Sequence, residues 1–264
     1  MTRVSPELSV ISHELFATMR IIVDDKKYKR MALLGRVSLF GSLAILMGGL
    51  LLTLFGQQIG LLNPQNTTLF MVVYIGILVL GFAVSRLGFY FGNRYLSPTR
   101  PDAVLREGLK GLDRKYTLLI FQGPTNYMLV EPGGITVFVV RNQEGPVAYR
   151  GGKWKRNENF FRFWFGRDEP LGDPAADLTT ELGKVNKALT EKMPNLKVPL
   201  RGAVVFSHPK VVLDAEPSPI AVLRIEDVKD FIRGAGKLKE LPNSIQRKMR
   251  EAVGAPDLPK AEQS

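Results

Sequence analysis

The chain has no cysteine. Disulfides, thiolate-bound zinc and thiol catalysis are therefore excluded, and a reducing compartment is compatible with the composition. Histidine is almost as scarce. Only His13 and His208 occur, in segments assigned to opposite ends of the chain. That argues against a His-rich metal site, and against a Ser-His-Asp triad, whose base, nucleophile and orienter must meet. Charge is missing from two long stretches. Val37–Phe55 (VSLFGSLAILMGGLLLTLF) is 19 residues without a charge, and the 16 residues from Leu69 to Val84 also carry none. No acidic residue falls between Val37 and Arg94. Nothing within these stretches suggests a proton relay or an ion path.

Against these absences stand 264 residues, enough for about two structural units, and a net charge of +11. The excess divides as +3 over residues 1–36, +2 over 37–94 and +6 over 95–264. At about 1.5 Å per residue, Val37–Phe55 nearly spans a hydrocarbon layer of roughly 30 Å. A second span is expected from Leu69 to about Gly92. Arg86 lies near its end, where a long side chain snorkels, and Phe89, Tyr90, Phe91 and Tyr95 supply an aromatic belt. Lys26, Lys27, Lys29, Arg30 and Arg36 precede the first span, and Arg86, Arg94 and Arg100 end or follow the second. The connecting segment Gly56–Thr68 is uncharged. The bias of basic residues places both flanks in the cytoplasm and the loop outside, giving a multi-pass cell-membrane protein with both termini cytoplasmic. Within the loop, Asn66-Thr67-Thr68 matches a glycosylation sequon, which matters only in a eukaryotic secretory route. The pairs Gly88/Gly92, Gly81/Ser85 and Ala44/Gly48 allow close helix packing, first of all between the two spans themselves.

Upstream, Ser5, Pro6 and Glu7 can open a helix reaching about Arg30, with Leu8, Ile11, Leu15, Met19 and Ile22 along one side and His13 at the surface. Downstream, Pro98 and Pro101 mark a turn, and Asp102–Asp113 reads as a helix. Strand-like runs follow at Tyr116–Phe121, Tyr127–Val130, Ile135–Arg141, Pro146–Tyr149 and Phe160–Phe165. Asp173 and Pro174 open a helix carrying Leu178, Leu182, Val185 and Leu189. Gly202–Ser207 and Ile220–Leu223 read as late strands, and helices are expected from Ile225 to Gly234 and from Ser244 to Val253. A disordered tail is expected from Gly254. The expected parts are 1–36 as amphipathic helix and basic flank, 37–92 as a two-helix transmembrane hairpin, 97–234 as a cytoplasmic α/β domain, and 235–264 as C-terminal helix and tail.

Residues Asn126–Gly145 (NYMLVEPGGITVFVVRNQEG), the later DPAADLTTELGKVNKAL and the VPLRGAVVF run together resemble the NERD (nuclease-related domain) family, over about half of the chain. Trp154 sits where that family often has a tryptophan. The resemblance implies a restriction-endonuclease-like fold. Members with an intact site have an Asp opening one strand and Glu-x-Lys closing the next, so that two carboxylates hold a divalent cation against a phosphate while the lysine positions water. Here the corresponding positions are Asn126, Val139 and Arg141, with Asp102 as the acid of the first helix. An amide, a valine and a guanidinium that cannot act as a base do not make a Mg²⁺ site. The expectation is a degenerate, non-catalytic member without metal or other cofactor. Mg²⁺ enters only if Glu131 or Glu144 replaces a lost ligand.

Seven basic residues lie between Arg141 and Arg167, interleaved with Tyr149, Trp154, Phe160, Phe161, Phe163, Trp164 and Phe165. Cations between rings suit nucleic-acid backbones and bases. A solvated hairpin with an aromatic core face, or a surface for anionic lipid, fits the same pattern. Arg141, Lys153, Trp154, Lys155 and Arg156 are the candidate contacts. The expected function is non-catalytic binding of nucleic acid or another partner at the cytoplasmic membrane face. An active nuclease with displaced acids and a structural protein contacting lipid or a protein partner are the alternatives.

Overall fold

The computed structural model describes residues 19–56, 58, 67–97, 100–156, 170–216, 220–234 and 237–257. The expected helix over residues 5–18, the Phe160–Phe165 strand and the end of the tail lie outside them. Two compact units result: a helical pair within Asp25–Arg100, and an α/β unit drawn from the chain before and after it.

The helical pair consists of α1, Asp25–Phe55, and α2, Thr67–Tyr95. Both are long and apolar enough to cross a membrane, and only 11% and 6% of their most apolar windows are buried. They are therefore not core helices of the protein. Glycines let them approach. A methyl added at Gly88 would lie 2.9 Å from the Leu39 backbone nitrogen, and one at Gly35 would lie 3.3 Å from that of Gly92. Gly81 faces Leu46 and Gly49 faces Ile77, which makes the pair antiparallel. Gly48, by contrast, has open space around it, so the Ala44/Gly48 pair is not part of this contact. Ser42 and Thr53 return their hydroxyls to carbonyls of their own helix, at 2.8 Å each, as polar groups in an apolar setting must.

The α/β unit holds a six-stranded sheet and a three-stranded one. Its strands are β1 (Arg20–Val23), β2 (Thr117–Ile120), β3 (Tyr127–Glu131), β4 (Gly134–Arg141), β5 (Gly145–Arg150), β6 (Lys153–Arg156), β7 (Leu200–Phe206), β8 (Val211–Ala215) and β9 (Ala221–Arg224). Its helices are α3 (Pro101–Gly108), α4 (Pro174–Lys192), α5 (Val228–Arg233) and α6 (Asn243–Val253). The large sheet runs β1-β2-β3-β4-β7-β9, and the small one runs β6-β5-β8. The meander β2-β3-β4 is antiparallel, whereas β7 joins β4 and β9 joins β7 in parallel. That parallel return requires a crossover, which contains α4. Asp173 caps α4 by accepting from the amides of Ala175 and Ala176, and Pro174 stands in its first turn.

Alternation along the strands sends Leu119, Met128, Val130, Ile135, Val137, Val139, Val204 and Phe206 into one core with Leu178, Val185 and Leu189 of α4 and Met249, Ala252 and Val253 of α6. Thr136, Phe138 and Val140 are buried on the opposite face.

Three expectations are corrected. The helix expected to continue to Arg30 gives way to β1, because Ile21, Ile22 and Val23 are β-branched and pair in parallel with Leu118, Leu119 and Ile120. The helix restarts at Asp25. The C-terminal helix, set apart from the domain in the sequence reading, belongs to its core. Arg250 is fully buried and donates to the Thr117 hydroxyl at 2.8 Å and the Lys115 carbonyl at 2.5 Å. Finally, the tail does not begin at Gly254. That glycine caps α6 with a left-handed φ of 77°, and Ala255 is buried beyond it.

The β2–β3 turn is tight. Gly123 has a φ of +88°, and a methyl there would meet the Val253 carbonyl at 2.7 Å. Gly145 has the same φ with open space around it. Gly123→Ala is expected to cost about 1–3 kcal/mol from strain and crowding together, and Gly145→Ala the smaller part of that range. Denaturant midpoints of the detergent-solubilised chain would show the order.

Candidate functional site

Three of the positions singled out by sequence, Asn126, Val139 and Arg141, lie at one end of the β3–β4 hairpin. Met128 pairs with Val137 and Leu129 with Thr136. Continued by two residues, that antiparallel register sets Asn126 opposite Val139. Arg141 follows Val139 by two residues, at the C-terminal end of β4. The turn before Asn126 is shaped by Phe121, which adopts a left-handed φ of 58° and accepts a rigid place there by donating its amide to the Asn126 carbonyl at 2.8 Å. Strain of this kind persists only where surrounding structure imposes it.

Val139 is 6% exposed and belongs to the hydrophobic core, so its side chain offers no ligand atom at this position. Arg141 points toward α4, where its guanidinium makes an ion pair with Asp177. One turn along, Glu181 accepts from the Thr125 hydroxyl and pairs with Lys184 at 2.6 Å. This end of the hairpin thus has two carboxylates after all, contributed by α4 at i and i+4 and already engaged by cations of the chain. Sequence reasoning missed Asp177 and Glu181. The signal available was their spacing of four on a helix whose apolar stripe was already evident.

Asp102 is 2% exposed in the first turn of α3 and lies 3.6 Å from Arg106 on its own helix. Glu144 is 3.8 Å from Lys210. Glu131 is at the opposite end of β4, paired with Gly134. The five-residue offset from Gly134 to Val139 is about 16 Å at roughly 3.3 Å per residue, so Glu131 cannot restore a ligand beside Asn126. The donor set Asn126, Val139 and Asp102 does not fit a hard divalent cation, which takes several oxygens at close range. Among the described residues, no group of three or more His, Cys, Asp or Glu is arranged to hold a metal ion.

Glu131 instead anchors a buried polar cluster. Its carboxylate receives two bonds from Arg201, at 2.8 and 3.1 Å, and one from the Thr136 hydroxyl. Arg201 also donates to Thr136 at 2.7 Å and lies 4.7 Å from the centre of the Phe231 ring. Burial pushes the Glu131 carboxyl above its ordinary value, against the opposing pull of Thr136 and Arg201. Tyr116 is raised as well, by burial first and then by the charges of Glu131 and Asp113. Beside it opens a hollow of about 250 Å³ lined by Leu112, Asp113, Tyr116, Arg233 and Lys237.

The basic stretch resolves into two faces of β6. Tyr149 pairs with Trp154 and Val147 with Arg156. Trp154 lies 4.4 Å from the Tyr149 ring and 5.9 Å from the Phe206 ring, so it packs inward and is not an open stacking platform. Arg156 donates to the Glu144 carbonyl at 3.0 Å. Lys153 and Lys155 are exposed on the other face, near an Arg150–Asp214 ion pair. Of the five candidate contacts, then, two lysines face solvent and three residues are committed to internal contacts. Phe161, Arg162, Phe163, Trp164 and Phe165 lie outside the described residues.

Comparison of the chain with known protein families, curated proteins and solved structures gave no match.

The Glu131 cluster has a pH signature. A folded-state value raised above the ordinary 4.5 means that the native protein holds this proton more tightly than the unfolded chain. Its stabilising contribution is full below 4.5 and lost as pH rises through the raised value. Glu131→Gln is expected to remove that decline from denaturant midpoints measured across the window. Arg201→Leu leaves a buried carboxylate without its cation. It is expected to cost about 3–5 kcal/mol at neutral pH, and less once Glu131 is protonated.

Proposed function

We propose that this chain is a membrane-anchored, nuclease-related protein whose domain binds a phosphate-bearing polymer without cutting it. The observation that carries this reading is the Arg141–Asp177 ion pair. It brings a fixed internal cation to the end of the hairpin where the NERD resemblance would have a divalent metal. Val139, buried in the core, closes the same position to a carboxylate. The restriction-endonuclease-like reading of the scaffold is supported by the order of elements: α3, the β2-β3-β4 meander, α4, then β7 beside β4 in parallel. It agrees with the strand, turn, strand, later helix and strand on which the resemblance rests. Nucleic acid is the favoured polymer because Lys153 and Lys155 stand exposed on one strand face, able to meet successive phosphates.

The anchor is the pair α1 and α2, read as two membrane crossings. Their ends support the orientation. β1 precedes α1 by one residue and pairs with β2, which follows α2 in the chain. Residues 20–23 and the domain after residue 100 therefore share one sheet and one side of any bilayer, so the number of crossings between them is even. The basic flanks favour the cytoplasm for that side.

Two measurements test this. The chain has no cysteine, so single introduced thiols report cleanly. Gln58→Cys is expected to react with an impermeant maleimide on intact cells, and Val212→Cys only after lysis; the reverse pattern would overturn the orientation. For binding, fluorescence anisotropy of labelled single- and double-stranded DNA with the full chain in detergent and Mg²⁺ is expected to show binding that weakens steeply with salt and holds steady over hours. Lys153→Gln with Lys155→Gln should reduce the log–log salt slope by roughly two. A probe that shortens in Mg²⁺, and stops shortening in Asp177→Asn, would make the protein an active nuclease. No binding at low salt would remove DNA as the ligand and favour the lipid or protein-partner role.

A further inference from the structure

We infer that the basic end of the helical pair is a binding site for an anionic phospholipid, with the headgroup phosphate on Lys29 and Arg30 and an acyl chain along Leu33, Val37 and Phe40. The inference rests on the reading of α1 and α2 as membrane crossings and deepens it by naming the lipid class.

The face of α1 turned toward α2 is marked by its buried residues, Ala32, Gly35, Ser42 and Gly49. Arg30, Leu33, Val37 and Phe40 follow one another at steps of three and four on the other side. Leu33 is 59%, Val37 60% and Phe40 72% exposed. Lys29 and Arg30 are exposed as well. From Arg30 to Phe40 the helix rises about 15 Å, half of a hydrocarbon layer of roughly 30 Å. One stripe therefore offers cations at its top and an apolar track one leaflet deep below them, matching a phosphate joined to an acyl chain.

The end of the pair that carries this stripe is held rigid. Tyr28 donates its hydroxyl to the Tyr95 carbonyl at 2.6 Å, and Arg100 donates to the Tyr28 hydroxyl at 2.5 Å. The Arg100 guanidinium lies 5.2 Å from the Tyr28 ring centre, and the Tyr28 and Tyr95 rings meet edge to face at 6.2 Å. Arg94 is 5.8 Å from the Tyr90 ring centre and donates to its hydroxyl at 3.2 Å. A ring collar thus ties the start of α1 to the end of α2, so a lipid bound there does not bear the cost of ordering that junction. The far end of the pair has no charged residue from Gly56 to Thr68 and offers a phosphate no cation. Charge complementarity selects an anionic headgroup, and the length of the apolar track selects a membrane lipid over free phosphate.

The test uses the full chain in nanodiscs of equal phosphatidylglycerol and phosphatidylcholine, with retained lipid counted by native mass spectrometry. Each cation contributes about 1 kcal/mol, so the two together give an expected preference of about 30-fold for phosphatidylglycerol. Lys29→Gln with Arg30→Gln should bring it to within about threefold of unity, while Lys187→Gln with Lys248→Gln, at exposed positions outside the helical pair, leaves it unchanged. Equal retention of both lipids by the unmodified chain, or an unchanged preference in the Lys29/Arg30 variant, would overturn the site. Vesicle flotation separates this failure from failure of the membrane reading. A chain that floats with neutral and anionic vesicles alike but retains no lipid preferentially remains a membrane protein without this site. A chain that floats with neither loses the anchor, and the inference with it.

Discussion

β4 has a hydrogen-bonded neighbour along each edge and is buried on both faces from Gly134 to Val140. Among the described strands it is the longest. Val137 and Val139 close the core that α4 and α6 complete, while Thr136 on the reverse face draws in Arg201 and Glu131. The two ends of this one strand carry different polar chemistry. At its start the carboxylate of Glu131 is sealed in with its guanidinium. At its end Arg141 reaches a carboxylate that is itself 56% exposed. The first arrangement is structural, because a charge pair so deeply buried cannot be opened without large cost. The second borders solvent through Asp177.

That contrast bears on position 139 as well. Valine there continues the apolar run of β4 into the core. The guanidinium at 141, just beyond that run, needs a partner, and α4 supplies it in Asp177. This end of β4 is therefore neither a bare cation nor a bare pair of anions, because each charge already faces its opposite.

Much of the α/β unit was legible because its signals are local. The Pro132-Gly133-Gly134 turn, the apolar runs on either side of it and the Asp173-Pro174 helix start each fix an element by short-range chemistry. The two apolar helices were legible by length alone. What could not be read were elements defined by distant partners. β1 is four residues whose strand character depends on β2, nearly a hundred residues away, and a helical period running up to it concealed the change. β8 was missed because Val211–Ala215 is mostly exposed and lacks a core-facing pattern of its own. Trp154 looked like a stacking ring because sequence shows its basic neighbours and not Phe206 beneath it. The carboxylates of α4 were missed for a related reason: the family pattern directs attention to strand positions, and the helix that faces them is more than thirty residues downstream.

The pairing of β1 with β2 also decides how this protein can be cut. A fragment beginning after the second helix would lack the edge strand of the large sheet, exposing the backbone groups of β2 and the apolar side chains that Ile22 covers, an invitation to edge-to-edge aggregation. The helical pair is better regarded as an insertion into the domain than as a leader attached to it. Tyr28 and Tyr95 touch across the base of the pair, so the two points where the insertion leaves and re-enters the domain are near each other. Joining Asp24 to Pro101 through a short glycine-rich linker would excise the apolar helices and keep all nine strands. Such a spliced chain, and not a simple truncation, is the form without the apolar helices whose sheet is whole.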